Sequence, residues 1–100
     1  MNLIIEFRPA ARFDFDEAAD WYSAEDPALR DRFVDAVDQT IAAIVRSPAS
    51  YPIVSGTRIR RAVVRDFPYL IFFWFDSYQV VVISVFHTSR NPIIWRGRTD

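Results

Sequence analysis

Tyr69-Leu70-Ile71-Phe72-Phe73-Trp74-Phe75 is the longest apolar run in the chain, and what flanks it decides the fold. Seven residues are far too few to span a bilayer but match a strand, and aromatic and β-branched side chains favour one. A strand apolar on both faces belongs at the centre of a sheet. Asp66-Phe67-Pro68 precedes it and Asp76-Ser77 follows it, both rich in turn-forming residues. Outside these turns lie two further strand-like segments, Arg58–Arg65 and Tyr78–Phe86. Three strands joined by two short turns make an antiparallel meander.

Upstream the period changes. Asn2–Arg8 alternates, with Leu3, Ile5 and Phe7 on one side, and reads as a strand. From Ala10 to about Ser23, Ala11, Phe15, Ala18 and Tyr22 recur at helical spacing. Phe13 falls on the acidic side of this helix with Glu17 and Asp20, and Trp21 sits at the edge of the stripe. Asp26-Pro27 is a helix start, aspartate capping and proline filling the first position. The second helix runs to about Arg46, burying Leu29, Phe33, Ala36, Val37, Thr40, Ile41 and Ile44, and Ser47-Pro48 stops it. Tyr51 to Gly56 is a loop. The order is β-α-α-β-β-β, an α+β domain over residues 1–100, with an antiparallel sheet and a helical hairpin packed on one face.

With no cysteine and one histidine, neither a disulfide nor a multi-histidine metal site is expected, and no cofactor. The N-terminus lacks the basic lead and apolar core of a signal peptide, so the expected location is cytoplasmic, with no membrane contact. The net charge of −1 conceals an asymmetry. Residues 1–45 carry ten carboxylates against four arginines, and residues 46–100 carry eight arginines against three aspartates. Every basic residue is arginine, which binds carboxylate or phosphate in a planar fork. A basic working surface in the second half follows.

On an extended strand Arg61 and Arg65 share one face and Arg58 and Arg60 the other. Because the helices cover one face only, some of these arginines look outward, available with Arg90, Arg96 and Arg98 to phosphates or an acidic peptide. Asp31 and Asp35, one helical turn apart, read as a solvated face rather than an acid–base pair. His87 follows the last strand and precedes Arg90. Such a histidine can take a proton from a ribose hydroxyl while the arginine stabilises the phosphate. It can equally bond the backbone and fix the tail. Trp95 reads as an anchor for that tail, and with exposed Phe13 and Trp21 it completes the expected partner-binding set of Arg58, Arg60, Arg61, Arg65 and Arg90.

The ordered series Glu17-Ala18-Ala19-Asp20-Trp21-Tyr22, Pro27-Ala28-Leu29 with Phe33, Ser47-Pro48, Tyr51-Pro52, Arg60-Arg61, Phe67-Pro68-Tyr69, and His87 with Arg90, Pro92 and Trp95 resembles the RelE/ParE toxin family. The Phe-Pro-Tyr strand entry and the His-x-x-Arg-x-Pro-x-x-Trp ending resemble its ParE-like, plasmid-stabilisation side. The resemblance implies growth inhibition by the toxin of a type II toxin–antitoxin system, a cognate antitoxin as partner in a toxin–antitoxin hetero-oligomer, and DNA gyrase as target. The alternative it implies is a ribosome-dependent mRNA endoribonuclease, for which Arg61, Arg65, His87 and Arg90 would be catalytic. A third reading is a toxin-derived inactive binding module. Ribosome-dependent members are strongly basic, whereas this chain has a sequence pI near 5.7.

Overall fold

Two prolines and one aspartate set the helices. In the computed structural model, which describes residues 3–90 and 93–98 and of 93 and 94 the backbone alone, Pro9 and Pro27 each open a helix, where a missing N–H costs nothing. Helix α1 spans Pro9–Glu25 and α2 spans Pro27–Arg46. Asp26 ends the first and starts the second. Its backbone N–H donates to the Tyr22 carbonyl, and its carboxylate accepts from the Ala28 N–H at 3.0 Å. Strand β1 (Ile4–Phe7) precedes the hairpin. A 3₁₀ turn, Pro48–Ser50, follows it, then β2 (Arg60–Val63), β3 (Tyr69–Phe75), β4 (Gln79–His87) and one helical turn, α3 (Ile93–Arg96).

The element order is the expected one, and β3 is central. The sheet order is β1-β4-β3-β2. The meander β2-β3-β4 is antiparallel as read, but β1 joins β4 in parallel, Ile4 opposite Gln79 and Phe7 opposite Val82. The sheet is therefore mixed, which corrects the expectation of an antiparallel one. Two hairpin reversals leave β4 running in the direction of β2, and alternation within β1 specifies neither its partner nor its sense.

Strand β2 is also shorter than Arg58–Arg65. Before it, Gly56 at φ +79° turns the chain, and the Val54 N–H donates to the Ile59 carbonyl at 2.7 Å. After it, Asp66 takes a φ of 69°, a left-handed conformation that aspartate tolerates. The first expected strand residue, Asn2, lies outside the described residues.

Two apolar clusters sandwich the sheet. The larger joins Ala11, Ala18 and Tyr22 of α1 and Phe33, Val37 and Ile44 of α2 to Ile71, Phe73, Val80, Val82 and Val85. Phe33 is fully buried at its hub, with the rings of Phe15, Tyr22, Phe67 and Tyr69 within 5.0–5.9 Å of its centroid. The smaller cluster, on the other face, contains Ile59, Phe72, Trp74, Val81, Ile83, Phe86 and Trp95.

A β-bulge divides β4. Phe72 pairs with Ser84 and Phe73 with Val82, so Ile83 is the extra residue. Up to Val82 the even-numbered residues face the helices; beyond the bulge Val85 does, and His87 pairs with Tyr69, itself a member of the helix-side cluster. The bulge thereby turns His87 toward the helical hairpin, a re-aiming that such irregularities commonly perform beside sites.

Candidate functional site

Tyr69 opens β3 and His87 closes β4, so their register pairing places both at one end of the sheet, under α1. There a cleft of about 710 Å³ is lined by Glu17, Asp20, Trp21 and Tyr22 of α1 and by Tyr69, His87 and Arg90. The Tyr69 and His87 rings meet edge to face at 5.0 Å. His87 Nδ1 accepts the Ser89 N–H at 3.0 Å, which commits the lone pair of that nitrogen and leaves Nε2 to carry the proton of the neutral ring. Burial pushes the Tyr69 and Tyr22 hydroxyls above their ordinary pKa. For Tyr69 the neighbouring Tyr22 adds to that push and Arg90 opposes it. Both hydroxyls keep their protons at neutral pH.

Arg90 Nη2 donates to Glu17 Oε1 at 3.2 Å, with both side chains about half exposed. Pairs so open to solvent contribute little stability, so Arg90 is held lightly. A second tail arginine is held firmly. Arg98 donates in a fork to Asp14 at 2.6 and 3.2 Å and also to the Ile83 carbonyl at 2.9 Å. Asp14 further accepts the Val85 N–H at 3.1 Å. β1 ends at Phe7, opposite Val82. Beyond that point Asp14 and Arg98 supply the acceptor and donor that a neighbouring strand would have offered to β4. Asp14 is not among the expected site residues, and Arg98, expected with Arg90 and Arg96 to be available to phosphates or an acidic peptide, is instead engaged within the fold. The signal was present, since Asp14 is three residues after Ala11 and four before Ala18, a carboxylate within the apolar stripe.

The expected basic surface is dispersed. Arg58 stacks on Trp74, 3.9 Å from the ring centroid, and Arg61 borders a groove with Phe72, Phe86 and Trp95, both on the face away from the helices. Arg60 is on the helix side, where it donates to the Ala49 and Tyr51 carbonyls at 3.2 and 2.7 Å and fastens the loop after α2. Arg65 lies past the strand end, beside Asp35 and Gln39 of α2. The expected pairings of Arg58 with Arg60 and of Arg61 with Arg65 therefore do not hold, because strand alternation covers only Arg60–Val63. Of the four residues expected for catalysis, only His87 and Arg90 share the cleft.

Trp95 is 4% exposed and stacked on Phe72 at 3.8 Å, so it anchors the tail and is not available to a partner. Phe13 and Trp21 are exposed on α1, as expected. Arg60→Ala should cost about 1.5–3 kcal/mol of stability, the range for hydrogen bonds from a charged donor. Arg61→Ala should stay within about 0.5 kcal/mol. Urea titration of the two variants measures this; equal losses would place Arg60 in solvent.

A helical hairpin packs against a short meander, closed by the first strand and by a tail tied to α1. Residues 5–92 match the family described as "ParE toxin of type II toxin-antitoxin system, parDE", and the chain belongs to that family. A solved structure titled "Chromosomal ParDE TA system from P. aeruginosa" shares the fold, with a TM-score of 0.76 over 87% of this chain and 97% of that one. Identity between the two is 11%, so the likeness is one of fold. No curated protein matches the chain. Among the described residues no helix is long and apolar enough to cross a membrane.

Proposed function

We propose that the chain arrests growth in the cytoplasm by binding DNA gyrase, and that a cognate antitoxin encoded beside it neutralises it. Membership of the ParE family supports the reading. The observation that carries it is the charge of the cleft around His87. Two carboxylates, Glu17 and Asp20, line it against one guanidinium, that of Arg90, which Glu17 already engages. Such a wall repels a phosphodiester backbone, and His87 Nδ1 is already bonded to the tail. Arg61 and Arg65, which a nuclease would bring to the scissile phosphate, line other surfaces. The convergence of Tyr69, His87 and Arg90 is what favours the alternative, a ribosome-dependent nuclease.

Induction of the chain in a bacterium separates the two. Binding to gyrase should give filamentation and DNA damage, reversed by the antitoxin, and His87→Gln should leave the arrest intact because the toxin moves no proton. Under the nuclease reading His87→Gln should reduce cleavage about 10²–10⁴-fold, the contribution of a general base. Cleavage of mRNA on purified ribosomes, lost in that variant, would overturn the proposal. Normal growth at high expression would leave an inactive binding module.

For the antitoxin, the groove bordered by Arg61, Ile53, Leu70 and Arg96 suits an acidic amphipathic segment with aliphatic anchors. Arg61, rather than Arg60, should set the salt dependence of that complex.

A further inference from the structure

The cleft beneath α1 has one carboxylate more than it has guanidinium groups, and its aromatic wall is not closed. Trp21 remains 61% exposed although its ring meets Tyr22 at 5.2 Å. Glu17 stands one turn before Trp21 on the same helix face, and Asp20 is beside it. Among the described residues Asp20 has no hydrogen bond or ion pair. Tyr22 and Tyr69 are 8% and 7% exposed, their rings packed around Phe33, so the hydroxyl ends are the parts presented to the cleft. Neither hydroxyl has a hydrogen-bond partner among the described residues. An open indole, an unpaired carboxylate and two unpartnered phenols thus face one space.

These groups together select a cation that is flat, apolar on its faces and rich in donors. An anion would meet Glu17 and Asp20. An ammonium would satisfy the charge but not lie along the indole. A guanidinium can stack on Trp21 while its edge donates a fork of hydrogen bonds to Asp20. Its remaining N–H groups can donate to the tyrosine oxygens.

We infer that the cleft receives an arginine side chain of a partner protein, stacked on Trp21 and hydrogen-bonded to Asp20 and Glu17. The inference rests on reading the toxin as one that acts by binding protein. Arg90 then serves as the resident counter-ion of Glu17, which the incoming guanidinium displaces. Because the Arg90–Glu17 pair is half exposed, that exchange costs little.

The test is titration of the full chain with N-acetyl-arginine amide, followed by NMR at the Trp21 indole and the backbone amides of Glu17, Asp20 and Tyr22. Saturable shifts are expected, with a dissociation constant on the order of millimolar for so small a probe. The lysine analogue should bind more weakly, and the neutral citrulline analogue should give no saturation. Asp20→Asn should weaken arginine about tenfold, and Trp21→Ala about threefold. Both positions are exposed, so folding is retained. Citrulline binding as well as arginine, saturation of the same residues by inorganic phosphate, or no saturable shift with arginine would each overturn the inference. A chain that arrests growth but ignores arginine sinks this inference alone. One that binds arginine but leaves growth unchanged sinks the proposed function alone.

Discussion

Replacement of Arg98 by alanine is expected to cost about 3–5 kcal/mol, the loss seen when one partner of a buried ion pair is removed. Arg98 follows α3, yet it closes the pair that completes β4. Its side chain is 22% exposed and that of Asp14 is 9% exposed. Asp14 is fixed on α1 and largely buried, so without Arg98 its carboxylate keeps the Val85 N–H and the Ser84 hydroxyl as donors but loses its counter-charge. Asp14→Asn in the Arg98→Ala background removes that charge and keeps an oxygen for the Val85 N–H, so the double variant should recover a large part of the loss. Urea denaturation of the single and double variants measures both. A loss below about 1 kcal/mol, or no recovery in the double variant, would mean that the pair is solvated.

Phe33→Ala should be comparably severe. The residue is 0% exposed, and truncation of a buried phenylalanine costs about 3–5 kcal/mol in lost burial and residual cavity. A domain of this size has a total stability of about 5–15 kcal/mol. The consequence reaches the cleft, because Tyr22 and Tyr69 both rest on the Phe33 ring, at centroid distances of 5.0 and 5.2 Å. Phe33→Leu, which retains most of the volume, should lose much less stability and leave both tyrosines in place. Thermal unfolding of the two variants gives the comparison; equal midpoints would show that the site collapses around the smaller side chain.

Much of this architecture is legible in the sequence. Asp26-Pro27 marks the joint of the hairpin because capping and proline geometry are local. The apolar stripes of α1 and α2 name most of the helical side of the core because burial follows the helical period. The bulge at Ile83 left no trace of that kind. Val80 to Phe86 is apolar at every position but Ser84, so a shift of phase moves one apolar side chain into the place of another. That shift decides whether His87 faces the helices, and the cleft was unreadable for the same reason. The sequence places Glu17 and Asp20 on an acidic helix face and His87 after the last strand beside Arg90, with nothing to join the two. The bulge that brings them together is a property of how two strands register. The scatter of the arginines has a related cause. Alternation assigns faces only while the chain is extended, and Arg58 and Arg65 fall in the turns on either side of four extended residues.

The parallel union of β1 with β4 has a consequence for the life of the chain before it is complete. β1 is the first strand made, and among the described residues its strand partner is the last. At synthesis rates of about 5–20 residues per second, β1 waits roughly 4–16 s for it and the finished helical hairpin roughly 2–8 s. Throughout that interval the apolar faces of both are uncovered, and contacts so distant in sequence are slow to form even afterwards. The cleft needs Tyr69 and His87 side by side, so it too exists only at the end. Until it is released, the unfinished chain exposes that apolar surface to proteases and chaperones.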